Sequence, residues 1–417
     1  MRLGVDFGTT HTVVTMVDRG NYPVVAFEGG DPYPSLAAFL PSGELRYGFD
    51  AVAVRHEPGV RIVRSFKRLL ADAGPRASVE IGGCPVLLLD LLTGFLSQVK
   101  DDLLTRSNAS VAEGEPLEVA ISVPANSSSA QRFLTLEAFR AAGFTPVALL
   151  NEPSAAGFEY AHRFRSTITS RRENVLVYDL GGGTFDASLL RMAGKTNEVV
   201  TSEGVRRLGG DDFDEAILAA VLARIGAPAP EGDARDLLLE ECARQKEAAG
   251  PNTKKLVLDL SALDLAPIAL PIEEVWEACA PLVERTIAAT EPVLAAADVE
   301  EGELAGVYVV GGAGAFPLVG RRLKERFGEK RVKRSPHPFA ATAVGLALFL
   351  DGEAGYALTD RLTRHFGVFR EAEAGEEVVF DPIFPKDLPL PARGGAPLTA
   401  IRRYRAAHDV GHFRFVE

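Results

Sequence analysis

Two short segments far apart in the chain follow the same pattern, and this repetition limits the possible folds more than any other feature. Residues 2–17 (RLGVDFGTTHTVVTMV) and 174–192 (NVLVYDLGGGTFDASLLRM) each contain an apolar strand ending in aspartate, a Gly/Thr turn and a second β-rich run. Their separation is far longer than the roughly 20–50 residues of solenoid repeats. We therefore predict two similar lobes, each built around one such hairpin.

Further segments predict strands that run into helices. Residues 119–123 predict a strand followed by a helix over 129–142, and residues 307–310 predict a strand that passes through a glycine-rich turn into a helix starting at Pro317. Strands that alternate with helices indicate an α/β fold with mixed sheets.

Two segments interrupt this alternation and are predicted to be inserted subdomains, at about residues 31–110 and 215–302. The second predicts a helix over 237–249, a strand over 255–260 and a helix over 273–297.

The last part of the chain has a different residue pattern. Residues 352–417 contain short alternating runs at 366–369, 377–380 and 413–416, separated by Pro and Gly and without a helical period. We predict a β-rich appendage. Because the final run would leave a sheet edge unpaired, we also expect the chain to be truncated.

Composition excludes several classes of partner. The 417 residues are 47% hydrophobic and 24% charged with no run of 18 apolar residues, so we expect a globular chain and no membrane partner. A net charge of −12 disfavours nucleic acid. The three cysteines lack CxxC spacing, and no secretory segment opens the chain, which together predict a cytoplasmic protein without a disulfide framework or zinc site.

The two glycine-rich turns predict an anion site. Glycines at a hairpin tip let several backbone N–H groups point at one anion, as a polyphosphate requires. The turns DFGTT (6–10) and DLGGGTFD (179–186) also carry hydroxyl groups, and Asp6, Asp179 and Asp186 supply oxygen ligands suited to Mg²⁺ through water. A kinase interpretation of the DFG triplet fails because no HRD loop precedes it.

Other landmarks occur in a fixed order along the chain. They are SFKRLL at 65–70, VPA at 123–125, AQR at 130–132, NEPSAAG at 151–157 and LGGDDFD at 208–214. With the two hairpins, they resemble the seventy-kilodalton heat-shock (DnaK-type) chaperones of the actin-like ATPase superfamily over about residues 3–350, and less closely over the tail.

The resemblance implies an α/β, two-lobed actin-like (ribonuclease H-like) fold with a nucleotide cleft between the lobes and a short β-rich C-terminal segment. Lobe I would comprise residues 1–172 and lobe II residues 173–337. A helix at 338–351 would return to lobe I, and residues 352–417 would form a linker and a partial substrate-binding domain.

The resemblance also assigns roles to individual residues. The residues implied to hold the phosphates are Gly8, Thr9, Thr10, Gly181, Gly182, Gly183 and Thr184. Those implied to flank adenosine are Glu241 and Arg244 on one side and Gly311, Gly312 and Gly314 on the other. The implied catalytic residues are Lys67, Glu152, Asp179 and Thr184. The implied Mg²⁺ ligands are Asp6, Asp179 and Asp186, and the implied interdomain signalling residues are Pro124 and Arg132.

Without the resemblance, several of these residues have simpler interpretations. Lys67 would be an exposed helix lysine, Glu152 would complement a helix dipole, and Pro124 would end a strand. His11 either touches a phosphate or is a buried neutral histidine.

The function implied is that of an Mg²⁺-dependent ATPase and chaperone for protein folding under stress. The implied cofactors are ATP or ADP, Mg²⁺ and K⁺. The implied partners are unfolded or extended peptides, co-chaperones and a nucleotide exchange factor. Alternatives are a phosphotransferase similar to sugar kinases, and a filament-forming actin-like scaffold without enzymatic activity.

The chain departs from the family pattern at three places. Ala315 replaces the arginine that stacks on adenine, and Phe339 replaces an acidic residue, so we expect altered base recognition. The linker at 357–360 is more polar than usual, and Ala148 and Leu136 stand where basic partners of Asp360 are expected. We therefore expect weakened interdomain coupling.

Overall fold

The computed structural model describes residues 1–372, 376–391, 395–404 and 414–417. In chain order the strands of these residues are β1 (Arg2–Phe7), β2 (His11–Met16), β3 (Tyr33–Pro34), β4 (Leu36–Phe39), β5 (Leu45–Tyr47), β6 (Arg61–Arg64), β7 (Ser78–Ile81), β8 (Cys84–Leu87), β9 (Glu118–Val123), β10 (Thr145–Asn151), β11 (Asn174–Leu180), β12 (Thr184–Ala193), β13 (Thr196–Arg206), β14 (Lys255–Leu258), β15 (Ile268–Pro271), β16 (Leu304–Val310), β17 (Val332–Arg334), β18 (Ala357–Thr359), β19 (Phe366–Ala372), β20 (Glu377–Phe384) and β21 (Arg414–Val416).

The helices of the same residues are α1 (Gly48–Val54), α2 (Leu88–Thr105), α3 (Ser129–Ala141), α4 (Glu152–Arg163), α5 (Gly210–Ile225), α6 (Gly232–Ala248), α7 (Ile272–Ala288), α8 (Glu291–Ala296), α9 (Pro317–Phe327) and α10 (Ala341–Leu350). Of these helices in the described part of the chain, none combines the length and apolar character that a membrane crossing requires.

The two large sheets repeat one arrangement of strands. The first has the order β10-β9-β1-β2-β3, with β1 antiparallel to β2 and parallel to β9. The second has the order β17-β16-β11-β12-β13-β18, with β11 antiparallel to β12 and parallel to β16. Each sheet packs against its own large cluster of buried apolar side chains. The predicted α/β class is confirmed, and each of the two predicted hairpins lies in its own sheet.

Helix α10 joins the end of the second half of the chain to the first sheet. It packs against α4 and β1, and the hydroxyl group of Thr15 on β2 donates a hydrogen bond of 2.7 Å to the Ala343 carbonyl oxygen. A chain segment far from the N-terminus therefore completes the packing around β1.

Local sequence signals explain two of the helix boundaries. The Ser128 hydroxyl accepts a hydrogen bond from the Gln131 N–H and caps α3, which agrees with the helix predicted over 129–142. The single helix predicted over 273–297 is wrong, because α7 ends at Ala288 and α8 begins at Glu291. Pro292 lies in the first turn of α8, where a proline is tolerated because its missing N–H has no partner within the helix, so its position fits a new helix start after the break.

The C-terminal part forms β structure, as predicted. Strand β18 extends the second sheet by pairing in parallel with β13. Strands β19, β20 and β21 form a separate antiparallel sheet with β19 in the centre. Phe413, the first residue of the predicted last run, lies outside the described residues.

Candidate functional site

A cavity of about 590 Å³ lies between the two large sheets and is lined by residues from both halves of the chain. The predicted site residues that line it are Asp6, Gly8, Thr9, Thr10, Lys67, Glu152, Asp179, Gly181, Gly182, Thr184, Arg244, Gly311 and Gly312. Residues that the resemblance groups into one site therefore come together in space, although they are scattered from residue 6 to residue 312.

The two hairpin turns approach each other at the cavity wall. A Cβ atom on Gly182 would lie 2.9 Å from the Thr10 hydroxyl oxygen and 2.7 Å from the Thr10 methyl carbon, so this contact requires glycine. Gly183 lies beneath the aliphatic part of Arg68 and does not line the cavity. The turns thus present backbone and hydroxyl groups from both sheets to one space.

Lys67 and Glu152 form a buried ion pair in the cavity wall. The Lys67 ammonium group donates a hydrogen bond of 2.7 Å to the Glu152 carboxylate, and the two side chains are only 6% and 11% exposed. Lys67 lies in a 3₁₀ turn at Phe66–Asp72, and Glu152 begins α4. The interpretation of Lys67 as an exposed helix lysine is therefore wrong.

Three aspartates accompany this pair, and burial affects all of them. Burial, followed by the charge of Glu152, raises the pKa of Asp6 to about 6, although Ser122 donates a hydrogen bond of 2.8 Å to it. The same two causes raise the pKa of Asp186 to about 7. Burial also raises the pKa of Asp179 well above its ordinary value, with the neighbouring carboxylates adding to the effect.

Burial and the neighbouring carboxylates shift the pKa of Lys67 in opposite directions. Burial by itself would lower the pKa of its ammonium group, but the charges of Glu152, Asp6 and Asp179 outweigh burial and raise it. Lys67 therefore stays protonated in a wall where carboxylates predominate.

The arrangement of carboxylates suits a hydrated cation better than a directly ligated one. Within the described residues, no three His, Cys, Asp or Glu side chains converge closely enough to hold one ion directly. Asp186 is directly opposite Asp179 in the β11–β12 pair, and its buried Oδ1 atom has no hydrogen-bond partner. Mg²⁺ keeps several waters in protein sites, so a hydrated Mg²⁺ fits these residues.

The structure corrects the predicted wall on α6. Glu241 does not line the cavity; its carboxylate accepts hydrogen bonds from Arg244 Nε at 2.8 Å, Gln245 Nε2 at 2.9 Å and the Asp259 N–H at 3.2 Å. Lys246 and Glu247, which were not predicted, do line it. Glu247 is three positions beyond the predicted Arg244 and shares its helix face, which could have indicated it, whereas no sequence signal indicated Lys246.

Lys246 is held in place by the second half of the chain. Its ammonium group lies 2.7 Å from the Asp214 carboxylate and donates a hydrogen bond of 2.7 Å to the Gly210 carbonyl oxygen.

In the glycine-rich turn after β16, Ala313 lines the cavity whereas the predicted Gly314 does not, since Gly314 packs against Val309.

A second cavity of about 40 Å³ adjoins the wall formed by the hairpin turns. Thr9, Lys67 and Thr184 line both cavities, and Asp186 and Pro124 line only the smaller one. Asp186 and Pro124 therefore lie directly behind the hairpin turns.

Arg132 lines neither cavity and instead connects to the linker. Its guanidinium group donates hydrogen bonds to Asn151 Oδ1 at 2.6 Å and to the Ala125 carbonyl oxygen at 3.4 Å. The Asn151 side-chain amide in turn donates to both carboxylate oxygens of Asp360, at 3.0 and 3.2 Å. Asp360 thus has a polar partner, Asn151, although Ala148 and Leu136 stand where basic partners were expected.

Partly exposed ion pairs lie at the mouth of the main cavity. Glu240 on α6 contacts Arg55 at 2.5 Å and Arg64 at 2.7 Å. Nearby, Arg68 contacts Asp212 at 3.0 Å, and the Ser65 hydroxyl donates a hydrogen bond of 2.7 Å to Asp211. These pairs, which join the two halves of the chain across the cavity, were not predicted. We call the two Glu240 pairs and the Arg68–Asp212 pair the mouth ion pairs.

Comparisons with known proteins identified one family model and several relatives similar to this chain. A family model described as "Hsp70 protein" matches residues 95–357. A chaperone protein HscA homolog of Ralstonia nicotianae is 33% identical over 365 residues, which cover 84% of this chain and 57% of that protein. The chaperone protein HscA of Cronobacter sakazakii is 34% identical over 374 residues, again covering 84% of this chain and 57% of the relative.

A third relative matches over a longer part of the chain. A chaperone protein HscA homolog of Acidithiobacillus ferrooxidans is 28% identical over 432 residues, covering 98% of this chain and 68% of that protein. The chain therefore spans from less than three fifths to about two thirds of the length of these curated relatives.

Proposed function

The chain belongs to the Hsp70 family, and from this premise we propose that it is a cytoplasmic, Mg²⁺-dependent ATPase that acts as a chaperone for unfolded or extended peptides. The observation that carries this proposal is the buried Lys67–Glu152 ion pair beside two glycine-rich turns in the wall of one cavity. A buried cation next to N–H-rich turns is suited to a polyphosphate.

The proposed fold assignment follows from the paired sheets. The sheet containing β1 would be the centre of an actin-like lobe at 1–172, and the sheet containing β11 the centre of a second lobe at 173–337. Residues 338–351 would return to the first lobe, and residues 352–417 would form the linker and a partial substrate-binding domain. In support, one hairpin with an aspartate-tipped first strand lies at the centre of each sheet.

The residues of the cavity suggest how a bound nucleotide would be handled. The turns at 8–10 and 181–184 would bind the phosphates, and Lys67 would hold the terminal phosphoryl group while its fixed charge offsets developing negative charge. Glu152 orients Lys67 through their 2.7 Å contact and can accept a proton from an attacking water.

The three aspartates would hold the cation. Asp6, Asp179 and Asp186 would bind the water shell of Mg²⁺, which when bound neutralises phosphate charge. Their raised pKa values support this assignment, since a bound cation would relieve the repulsion among buried carboxylates.

The chaperone part of the proposal rests on the relatives and on the C-terminal sheet. The relatives named above are chaperone proteins, and the β19–β21 sheet exposes large apolar side chains, including Val378 at 69% and Phe415 at 73%. Exposed apolar groups on a sheet are suited to an extended peptide. Co-chaperones and an exchange factor are proposed partners on the same basis.

One assay separates this proposal from a sugar-kinase-like activity. Phosphate release from MgATP is measured with no addition, with an unfolded model peptide and with a panel of sugars. We expect slow hydrolysis that responds to peptide and produces no phosphorylated sugar. Absence of ATP hydrolysis, or transfer of phosphate to a sugar, would contradict the proposal.

A further inference from the structure

One end of the main cavity contains an exposed aromatic side chain. Phe339 precedes α10, lines the cavity and is 39% exposed. An exposed phenyl ring in a cavity wall has an apolar face that a flat ligand can cover.

The position of this ring is fixed from two sides. A Cβ atom on Gly312 would lie 2.5 Å from Phe339 Cε1, so the ring lies directly on the glycine backbone and only glycine permits this approach. The His11 ring contacts it edge to face, with the ring centroids 5.8 Å apart. The exposed part of the Phe339 ring is therefore held in one orientation at the cavity wall.

The cations near this end of the cavity are already paired. Arg244 is bonded to Glu241, and Lys246 is bonded to Asp214. Ala315, in the 3₁₀ turn after Gly311, has no side chain that could stack. Among the described residues around this turn, Phe339 offers the flat surface that a base could cover.

Resting on the proposed nucleotide binding, we propose that Phe339 is the stacking surface for the nucleobase and that the site binds nucleoside triphosphates with little discrimination between adenine and guanine. Stacking on an aromatic ring discriminates weakly between bases, because every base has a π-face. The phosphates would be held by the hairpin turns, and the base would be held mainly by this ring. ATP and GTP would then bind with similar affinity.

The test compares ligands with and without a base. Dissociation constants for MgATP, MgGTP and magnesium tripolyphosphate are measured by calorimetry on the full chain and on F339A, F339Y and F133A. Phe133 is a matched control, since it is 47% exposed on α3 and does not line the cavity. Tripolyphosphate reports on the phosphate site and on folding without any contribution from stacking.

We expect the full chain to bind ATP and GTP within about tenfold of each other. F339A should weaken the affinity for both nucleotides by about tenfold or more, as expected for the loss of one stacked base, and should leave the affinity for tripolyphosphate unchanged. F339Y should retain the parent affinity because it keeps the ring, and F133A should behave as the parent.

The opposite outcomes are distinguishable. Equal loss of all three ligands in F339A, unchanged ATP affinity in F339A, or a preference for ATP above about a hundredfold would each overturn the role of Phe339 while leaving the proposed ATPase intact. Failure of the unmodified chain to bind any of the three ligands would reject the nucleotide site itself, and this inference with it.

Discussion

The Lys67 ammonium group lies 2.7 Å from the Glu152 carboxylate, and this contact joins a 3₁₀ turn of the first half of the chain to the start of α4. Both side chains are buried in the cavity wall. The pair therefore fixes a positive charge at the place where the hairpin turns from both sheets meet.

Replacement of Lys67 by alanine should reduce the rate of ATP hydrolysis by about 10²- to 10³-fold, because a preorganised electrostatic group is lost. The affinity for MgADP should change little, since ADP lacks the terminal phosphoryl group. Single-turnover hydrolysis and calorimetry measure the two quantities. Lys324→Ala is a matched control, because Lys324 is an exposed lysine on α9. Equal hydrolysis rates in Lys67→Ala and the parent would exclude the proposed role.

The pKa values of the aspartates predict how stability depends on pH. Asp6 and Asp186 have pKa values near 6 and 7 in the folded chain, against an ordinary value of 3.8. From about pH 4 to pH 7 the unfolded chain therefore binds fewer protons than the folded chain, so these groups reduce stability as pH rises.

Bound MgATP should offset this loss, since the cation stabilises ionised carboxylates. We expect the increase in Tm produced by MgATP to be larger at pH 8 than at pH 5.5. Asp186→Asn should reduce this difference, whereas Asp101→Asn, at an exposed position of α2, should not. Thermal melts at several pH values provide the measurement. An MgATP-induced increase in Tm that does not change with pH would contradict the prediction.

The mouth ion pairs should slow nucleotide release. Glu240→Gln weakens the contacts with both Arg55 and Arg64, which lie across the cavity mouth. Partly exposed ion pairs contribute about 0.2–1 kcal/mol each, so we expect release of a fluorescent ADP analogue to become several-fold faster. High salt should reduce the difference between parent and variant.

Glu274→Gln is the control for this experiment, because Glu274 pairs with Arg224 within the second half of the chain and away from the mouth. Identical stopped-flow release rates for the parent and Glu240→Gln would show that the pairs do not restrain the nucleotide.

Coupling between linker and site is predicted to be weak. Asp360 accepts its hydrogen bonds from two uncharged donors, the Asn151 side-chain amide and the Arg361 N–H, so it lacks the opposite charge that a basic partner in a salt bridge would supply. We expect unfolded peptide to change the steady-state hydrolysis rate by less than about fivefold, the lower end of typical coupling. Asp360→Ala should abolish the remaining response, with Asp101→Ala as a control. Stimulation well above fivefold in the parent would reject this prediction.

The helix α6 shows where the sequence was insufficient. The helical character of α6 was predicted from the sequence, but Glu241 was expected at the cavity, whereas Lys246 and Glu247 line it. The rotation of the helix is set by Leu238 and Cys242, which are buried in the core of the second half. Which face of a helix meets a cavity depends on that packing, and one helix sequence does not specify it.

The sequence by itself determined the features that are encoded in consecutive residues. The two hairpins, their aspartates and their glycine-rich turns were predicted because a strand, a turn and a following strand are specified by local residue type and φ/ψ preference. The order of the landmarks was sufficient to indicate the family, and the match over residues 95–357 confirmed it.

Only the tertiary structure decided the contacts between residues that are distant in the chain. The Asn151–Asp360 hydrogen bonds, the Glu240 ion pairs and the placement of Phe339 over Gly312 each join segments brought together by packing of the two sheets and α10. Such contacts depend on how side chains pack across the whole core. The residue type at one position therefore does not determine which distant residue it contacts.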